Sequence, residues 1–305
     1  MEVRILSAAP SSGEINMSRT EIPELPLSAK VRYLHSRFRS SKERAEIGSR
    51  ETRRANTTFH DVRILDARPR ARADELNLDT TGFILINFDT NFSDFRNTDK
   101  IAREFYSLVS EKIQALTGAI HVIPTGHIVR TEDSSSFNEA YARFIHCDYT
   151  LRNPRKNAAH TIRKAGINLD LEAYEFAWYN FWQPIDHVAE RNPLALIDSS
   201  SLSEGDLVEY IYTADRRGKS FKNAYKGEDV GDSALSTMPV FNEQHRFYYF
   251  PKMKTTEALV FKQLDTRNHS AIACPHTSFD NVNASLNAKP RRSIEIRVMC
   301  AFLPN

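Results

Sequence analysis

The stretch Gly118-Ala119-Ile120-His121-Val122-Ile123 marks the point where the hydrophobic period of this 305-residue chain changes. Before it, Ile101, Phe105, Leu108, Val109, Ile113 and Leu116 recur at helical spacing and form one apolar stripe. Asn97-Thr98-Asp99 supplies capping oxygens ahead of that stripe, and Gly118 supplies a left-handed stop behind it. After it, apolar residues come in short runs. Residues 119–123, 127–130, 142–146, 176–182, 194–198, 247–250, 258–262 and 294–302 all read as strands, as do 62–66 and 83–88 ahead of the helix. The run 83–88 is apolar on both faces, which suits a strand covered on both sides. One main helix followed by many short strands predicts a mainly β fold with flanking helices, built on a double-stranded β-helix (jelly-roll, cupin-like) core.

The composition allows such a core and narrows the function classes. Hydrophobic residues make up 41% and charged residues 26%, the balance of an ordinary globular domain. A formal net charge of +2 gives no strong field for a nucleic acid or an anionic membrane. Nothing near Met1 reads as a signal peptide, and no apolar run is long enough to span a bilayer. The cysteines are Cys147, Cys274 and Cys300, an odd and sparse set without a CxxC motif. That is no disulfide framework, and it points to a reducing, cytoplasmic home.

Two segments stand apart. Residues 1–60 are expected to form a basic N-terminal arm or extension: nine Lys and Arg lie between Lys30 and Arg54, with few aromatics among them. Such a run is a solvated or self-associating surface, and homodimer formation is one use for it. The β-helix domain is then expected over 61–305. Within it, 198–245 is long, polar and weakly periodic, and reads as a lid-like insertion carrying Leu202, Leu207, Tyr210, Tyr212 and Phe221.

The chemistry centres on His146-Cys147-Asp148. A His-x-Asp pair is weak evidence by itself, but strand parity sends residues i and i+2 to one face. Two imidazoles and a carboxylate are the ligand set of the non-heme iron(II) facial triad, so a second histidine is required from a neighbouring strand. His35 and His60 fall in the arm, and His160 and His187 in irregular segments; His269 and His276 flank a turn after the 258–262 strand. His276 is preferred because Arg291-Arg292-Ser293 follows it. Arg291, Ser293, Glu295 and Arg297 share one face of the last strand, while Ile294, Ile296 and Val298 share the other. Buried charge is costly unless paired. A dicarboxylate gripped by Arg291 and Ser293, with Arg297 in reserve, would supply the partner.

The chain resembles the fungal hydroxylase/desaturase family, which includes a gibberellin desaturase and cephem-methoxylase-like proteins and has a member that forms a meroterpenoid endoperoxide. The resemblance is carried by Thr117-Gly118-Ala119, His127-Ile128-Val129-Arg130, His146-Cys147-Asp148-Tyr149-Thr150, Asn180-Phe181-Trp182-Gln183-Pro184-Ile185 and Pro193-Leu194-Ala195-Leu196. It continues through Tyr248-Tyr249-Phe250-Pro251-Lys252-Met253, Glu257-Ala258-Leu259-Val260-Phe261-Lys262-Gln263, His276-Thr277-Ser278-Phe279-Asp280 and Arg291-Arg292-Ser293-Ile294-Glu295-Ile296-Arg297. It implies iron(II), 2-oxoglutarate and O2 as cofactors, a triad of His146, Asp148 and His276, and a cosubstrate carboxylate on Arg291 and Ser293. The implied substrate is a small hydrophobic secondary metabolite of terpenoid or polyketide type, oxidised by hydroxylation, desaturation or endoperoxide formation.

The chain also departs from the family. Trp182-Gln183-Pro184 replaces Trp-Arg-Pro, and Gly126-His127-Ile128 replaces Asp-His-Thr. Tyr149, Trp182 and Gln183 are the expected substrate contacts. Among the aromatics of the 176–182 strand, Trp178 and Phe181 are read as core packing. Two other readings share the barrel: a cupin-like metal isomerase or dioxygenase without 2-oxoglutarate, and a metal-free jelly-roll binding protein. Neither requires Arg291-x-Ser293.

Overall fold

Residues 26–131, 144–213, 229–230, 233–267 and 271–304 are described by a computed structural model of the chain. Among them, strands β1 (Leu27–Leu34), β2 (Ala45–Ile47), β3 (Thr57–Asp66), β4 (Phe83–Asn87), β5 (His121–Thr131), β6 (Glu175–Pro184) and β7 (Leu194–Ile197) come first in chain order. They are followed by β8 (Leu207–Thr213), β9 (Asp229–Val230), β10 (Ser233–Pro239), β11 (Phe247–Tyr249), β12 (Glu257–Asp265), β13 (His276–Ser278) and β14 (Arg292–Phe302). Three sheets result. The major one runs β4-β12-β6-β14-β5, the minor one β1-β3-β11-β7-β13, and the third β2-β8-β10-β9. Every pairing in the major sheet is antiparallel.

The main helix forms where its stripe predicts. It starts at Thr98–Lys100, passes through a π-helical turn at Ile101–Phe105 and runs on as Tyr106–Thr117. The Asn97 side chain accepts from the Lys100 N–H at 2.9 Å, and Gly118 closes the helix at φ 69°. This helix covers one face of the major sheet. Ile101, Phe105, Val109 and Ile113 pack with Phe181, Val260, Ile294, Ile296 and Val298 in one buried cluster. The opposite face of the major sheet turns inward. There Trp182, Leu259 and Phe261 meet Leu196 of the minor sheet, so the interior lies between the two sheets. Strand parity therefore decides which side chains enter the barrel and which enter the helix layer.

Two expectations change on the way from sequence to fold. Residues 27–60 are not an arm laid on the domain: β1 pairs with β3 over eight residues, and β2 pairs with β8. The basic residues alternate with Leu27, Ala29, Val31 and Tyr33, which are buried, so a charged count hid an edge strand with one apolar face. Residues 1–25 lie outside the described residues. The 198–245 segment is likewise more structured than a loop. Its described parts include β8 and β10, paired antiparallel over seven residues, and Tyr210 is buried between β2 and β10 residues. Phe221 lies outside the described residues.

A second helix, Pro154–Ala165, occupies a stretch read as irregular and carries His160. Its signals were present in Pro154 at the start and Gly166, at φ 68°, at the stop. The outer cluster makes a direct test. Phe105 is fully buried, with its ring 5.0 to 6.1 Å from those of Phe92, Phe95, Phe88 and Phe181. Phe105→Ala should lower unfolding stability by about 3–5 kcal/mol in urea titration.

Candidate active site

His146 and Asp148 sit on a short segment that two sheets hold from either side. His146 forms an antiparallel bridge with His276, the first residue of β13, and Cys147 forms one with Thr237 of β10. In the first bridge the His146 N–H donates to the His276 carbonyl at 3.1 Å, and the His276 N–H donates back at 2.9 Å. The two imidazoles thus stand directly opposite each other, with ring centroids 4.5 Å apart. The Cys147 N–H donates to the Thr237 carbonyl at 2.8 Å, and Thr237 Oγ1 donates to the Tyr149 carbonyl at 3.0 Å. Alternation then returns Asp148 to the side of His146.

His146, Asp148 and His276 are all buried, and one ligand atom from each lies within 4.8 Å of the others. His146 Nδ1 is 2.9 Å from the Phe144 carbonyl oxygen, which accepts a proton there. That contact leaves Nε2 facing the triad, 3.5 Å from Asp148 Oδ1. Burial and the neighbouring His146 push the pKa of His276 well below the usual histidine range, so its ring is neutral at physiological pH. Burial by itself would raise the Asp148 pKa, but the Arg297 guanidinium, then His146 and His276, hold it well below the usual carboxylate range. Two imidazoles and a carboxylate held in its ionised form at this spacing fit a divalent transition metal.

Asp148 is held from β6 and β14 as well. Asn180 Nδ2 donates to its Oδ2 at 2.6 Å, and Arg297 donates to its Oδ1 at 3.0 Å. Asn180 was not visible as a site residue in the sequence. The signal that would have found it is the β6–β14 register, which sets Asn180 opposite Arg297. Arg297 also donates through Nε and Nη2 to Glu295 Oε1 at 3.1 and 2.9 Å. This arrangement does not match a guanidinium kept in reserve for a cosubstrate, because Arg297 is engaged by two buried carboxylates.

Arg291 and Ser293 enter the same interior, each about 1% exposed. Arg291 Nη1 donates to the Asn192 carbonyl at 2.7 Å and to Ser278 Oγ at 3.0 Å. Asn192 adopts a left-handed backbone at φ 44°, a conformation asparagine tolerates better than most residues. Ser278 lies two residues beyond His276, so β13 carries both a triad histidine and a support for Arg291. Ser293 Oγ and Asn180 Oδ1 are buried without a hydrogen-bond partner among the described residues. Such atoms are costly unless a polar ligand meets them, and they suit an interior that takes up a carboxylate-bearing molecule.

The remaining expected contacts separate by parity. Trp182 faces the interior, with the Arg291 guanidinium 5.9 Å from its ring centroid. Tyr149 packs against Trp178 at 5.9 Å, and its hydroxyl lies 3.3 Å from Thr125 Oγ1. Gln183 is not brought to the site. It pairs in register with Ile294, on the helix side, and its Nε2 donates to the Phe88 and Thr255 carbonyls at 3.0 and 2.6 Å. His127 also faces the helix, 2.8 Å from the Tyr106 hydroxyl. Of its neighbours on β5, Arg130 pairs with Ser293 in register and is buried. His269, the other candidate ligand, lies outside the described residues. The buried charges give a test. Arg297→Met leaves Asp148 and Glu295 without their cation and should cost about 3–5 kcal/mol of metal-free stability in urea titration.

The profile of the family described as oxidoreductase/YMDC permease-like domain matches residues 31–301. Among the described residues no helix is long and apolar enough to cross a membrane. The alpha-ketoglutarate-dependent dioxygenase tstK of Talaromyces stipitatus is 28% identical over 256 residues, covering 79% of this chain and 84% of that protein. The hydroxylase/desaturase efuI of Hormonema carpetanum is 28% identical over 253 residues, covering 75% and 80%. A solved structure of the iron and alpha-ketoglutarate-dependent endoperoxidase NvfI superposes with a TM-score of 0.74 at 19% identity, covering 92% of this chain and 98% of that one. That superposition bears out the jelly-roll fold. By the match over residues 31–301, the chain belongs to the oxidoreductase/YMDC permease-like domain family.

Proposed function

We propose that the protein is an iron(II)- and 2-oxoglutarate-dependent dioxygenase that oxidises an unactivated C–H bond of a small hydrophobic secondary metabolite. The observation that carries this reading is the buried convergence of His146, Asp148 and His276, with the buried Arg291 bonded to Ser278 two residues beyond His276. The names of its relatives, a dioxygenase, a hydroxylase/desaturase and an endoperoxidase, support the same class. His146, Asp148 and His276 would hold the iron. Arg291 and Ser293 would hold the distal carboxylate of 2-oxoglutarate. Iron(II) and 2-oxoglutarate held there would, with oxygen, supply the oxidising power for C–H cleavage, with succinate and carbon dioxide as co-products.

The chain's own residues set the conditions for that chemistry. Two imidazoles and one carboxylate leave coordination positions open for cosubstrate and oxygen. The Arg291 guanidinium is oriented in advance by Asn192 and Ser278, so little reorganisation is needed on binding. Trp182, Phe261, Leu259 and Leu196 line the inward face with apolar surface. Such walls exclude water and match an apolar substrate. Hydroxylation, desaturation and endoperoxide formation can share these ligands, so the outcome depends on how the pocket holds the substrate radical. The buried thiols Cys147, Cys274 and Cys300 are all free, which supports a reducing, cytoplasmic setting.

Anaerobic addition of iron(II) and 2-oxoglutarate should give stoichiometric metal uptake and a visible charge-transfer band. Metal uptake without the band would favour a cupin-like enzyme that does not use 2-oxoglutarate, and no uptake would favour a binding protein. Alanine at His146, Asp148 or His276 should abolish turnover and sharply weaken iron binding. Arg291→Ala should retain iron and raise the 2-oxoglutarate requirement tenfold or more. A charge-assisted hydrogen bond to a carboxylate is worth about 1.5–3 kcal/mol. Unchanged cosubstrate affinity in Arg291→Ala would count against the assigned grip.

A further inference from the structure

Another strand reaches the triad without supplying a ligand. β12 lies inside the major sheet between β4 and β6, and its pairing with β6 shifts register between Lys262 and Leu264. Gln263 sits at that irregularity and is fully buried. Its Oε1 accepts from the Asp148 backbone N–H at 2.7 Å. A backbone nitrogen can only donate, so this contact fixes which end of the carboxamide is oxygen. Nε2 then lies on the other side, 3.3 Å from the Lys262 carbonyl, 3.5 Å from the Cys274 carbonyl and 3.4 Å from His276 Nδ1. The two carbonyls accept its two protons, and the amide edge rests against the His276 ring.

The bulge itself is anchored. Lys262 Nζ lies 2.6 Å from Asp265 Oδ2, and Arg267 donates to the same oxygen at 2.8 Å and to the Tyr179 hydroxyl at 2.8 Å. The Lys262 N–H donates to the Gly82 carbonyl at 2.8 Å, and the Cys274 N–H donates to the Lys262 carbonyl at 2.9 Å. Gln263 therefore projects from a buried, ion-paired platform, and it touches the segments that carry Asp148 and His276 at once. Those segments also meet through the His146–His276 backbone bridge and ring contact.

We infer that Gln263 is a positioning residue for the metal centre, whose carboxamide ties the Asp148 backbone to the 274–276 segment and keeps the two ligands at chelating separation. The inference rests on the iron-site reading given above and deepens it. It separates Gln263 from Arg291 and Ser293: loss of the carboxamide should loosen the metal and leave the cosubstrate grip largely intact.

The test titrates the full chain with iron(II) under argon, and with cobalt(II) as a spectroscopic stand-in, comparing native protein with Gln263→Leu and Gln263→Glu. Gln263→Leu should weaken iron binding at least tenfold and alter the cobalt ligand-field bands. The 2-oxoglutarate affinity at saturating metal should change less than about twofold. Gln263→Glu keeps the shape and the acceptor for the Asp148 N–H but loses the amide donors, so it should fall between the two, about threefold weaker than native. It also answers the question if the leucine protein does not fold. A purely structural glutamine would lower the melting temperature and leave metal affinity and cobalt spectrum at native values, which would overturn the inference, as would native affinity in Gln263→Glu. If native protein takes up neither metal, the iron-site reading falls and this inference with it. If native protein binds and the leucine variant binds equally, only this inference falls.

Discussion

The site depends first on one pair of backbone hydrogen bonds, those exchanged between His146 and His276. The two residues are 130 positions apart in sequence, and neither lies within a long regular strand. Their reciprocal bonding sets the imidazoles side by side, with centroids 4.5 Å apart, and the alternation of an extended chain then returns Asp148 to the same side. The neighbouring bridge from Cys147 to Thr237 prevents the segment from sliding along β13, because its register is set from both edges. A slip of one residue would replace both His146 and Asp148 with outward-facing neighbours.

The interior that results is polar at its centre, and that has to be offset. Asp148, Glu295, Arg291 and Arg297 are all nearly inaccessible to water. Isolated charges would be prohibitively costly there, so each described contact pairs a donor with an acceptor: Arg297 with Asp148 and Glu295, Asn180 with Asp148, Arg291 with Asn192 and Ser278. The exceptions are informative. Ser293 Oγ and Asn180 Oδ1 are buried and lack partners among the described residues, on the same side as the triad. Unmet buried polar atoms are uncommon in proteins, and their cost is relieved when a bound polar group meets them.

Features carried by local pattern were legible before the fold. The main helix, its Asn97 cap and Gly118 stop follow from the period of the apolar residues, and β6, β7, β11, β12 and β14 appear within a few residues of where alternation and turn residues set them. Strand parity on β14 correctly grouped Arg291, Ser293, Glu295 and Arg297 on one buried face. What failed has a common cause. β1 was masked by its exposed Lys and Arg, although its other face is apolar. The helix Pro154–Ala165 carries few apolar residues, of which Ala158 and Ile162 are buried. Gln183 was expected as a substrate contact, yet alternation sends it and His127 to the helix layer, while Trp182 and Arg130 take the inward face.

By itself, then, the sequence determined the class of structure and pointed to the residues that converge at the site, because both are written in residue type and period over short windows. Which face of each strand looks inward, which arginine meets the triad carboxylate, and that Gln263 joins two ligand segments were decided only by the tertiary structure. Those facts depend on the register between strands distant in sequence and on a bulge in β12. Register is a property of paired backbones, selected by the burial of whole faces at once, and no single stretch of the chain contains it.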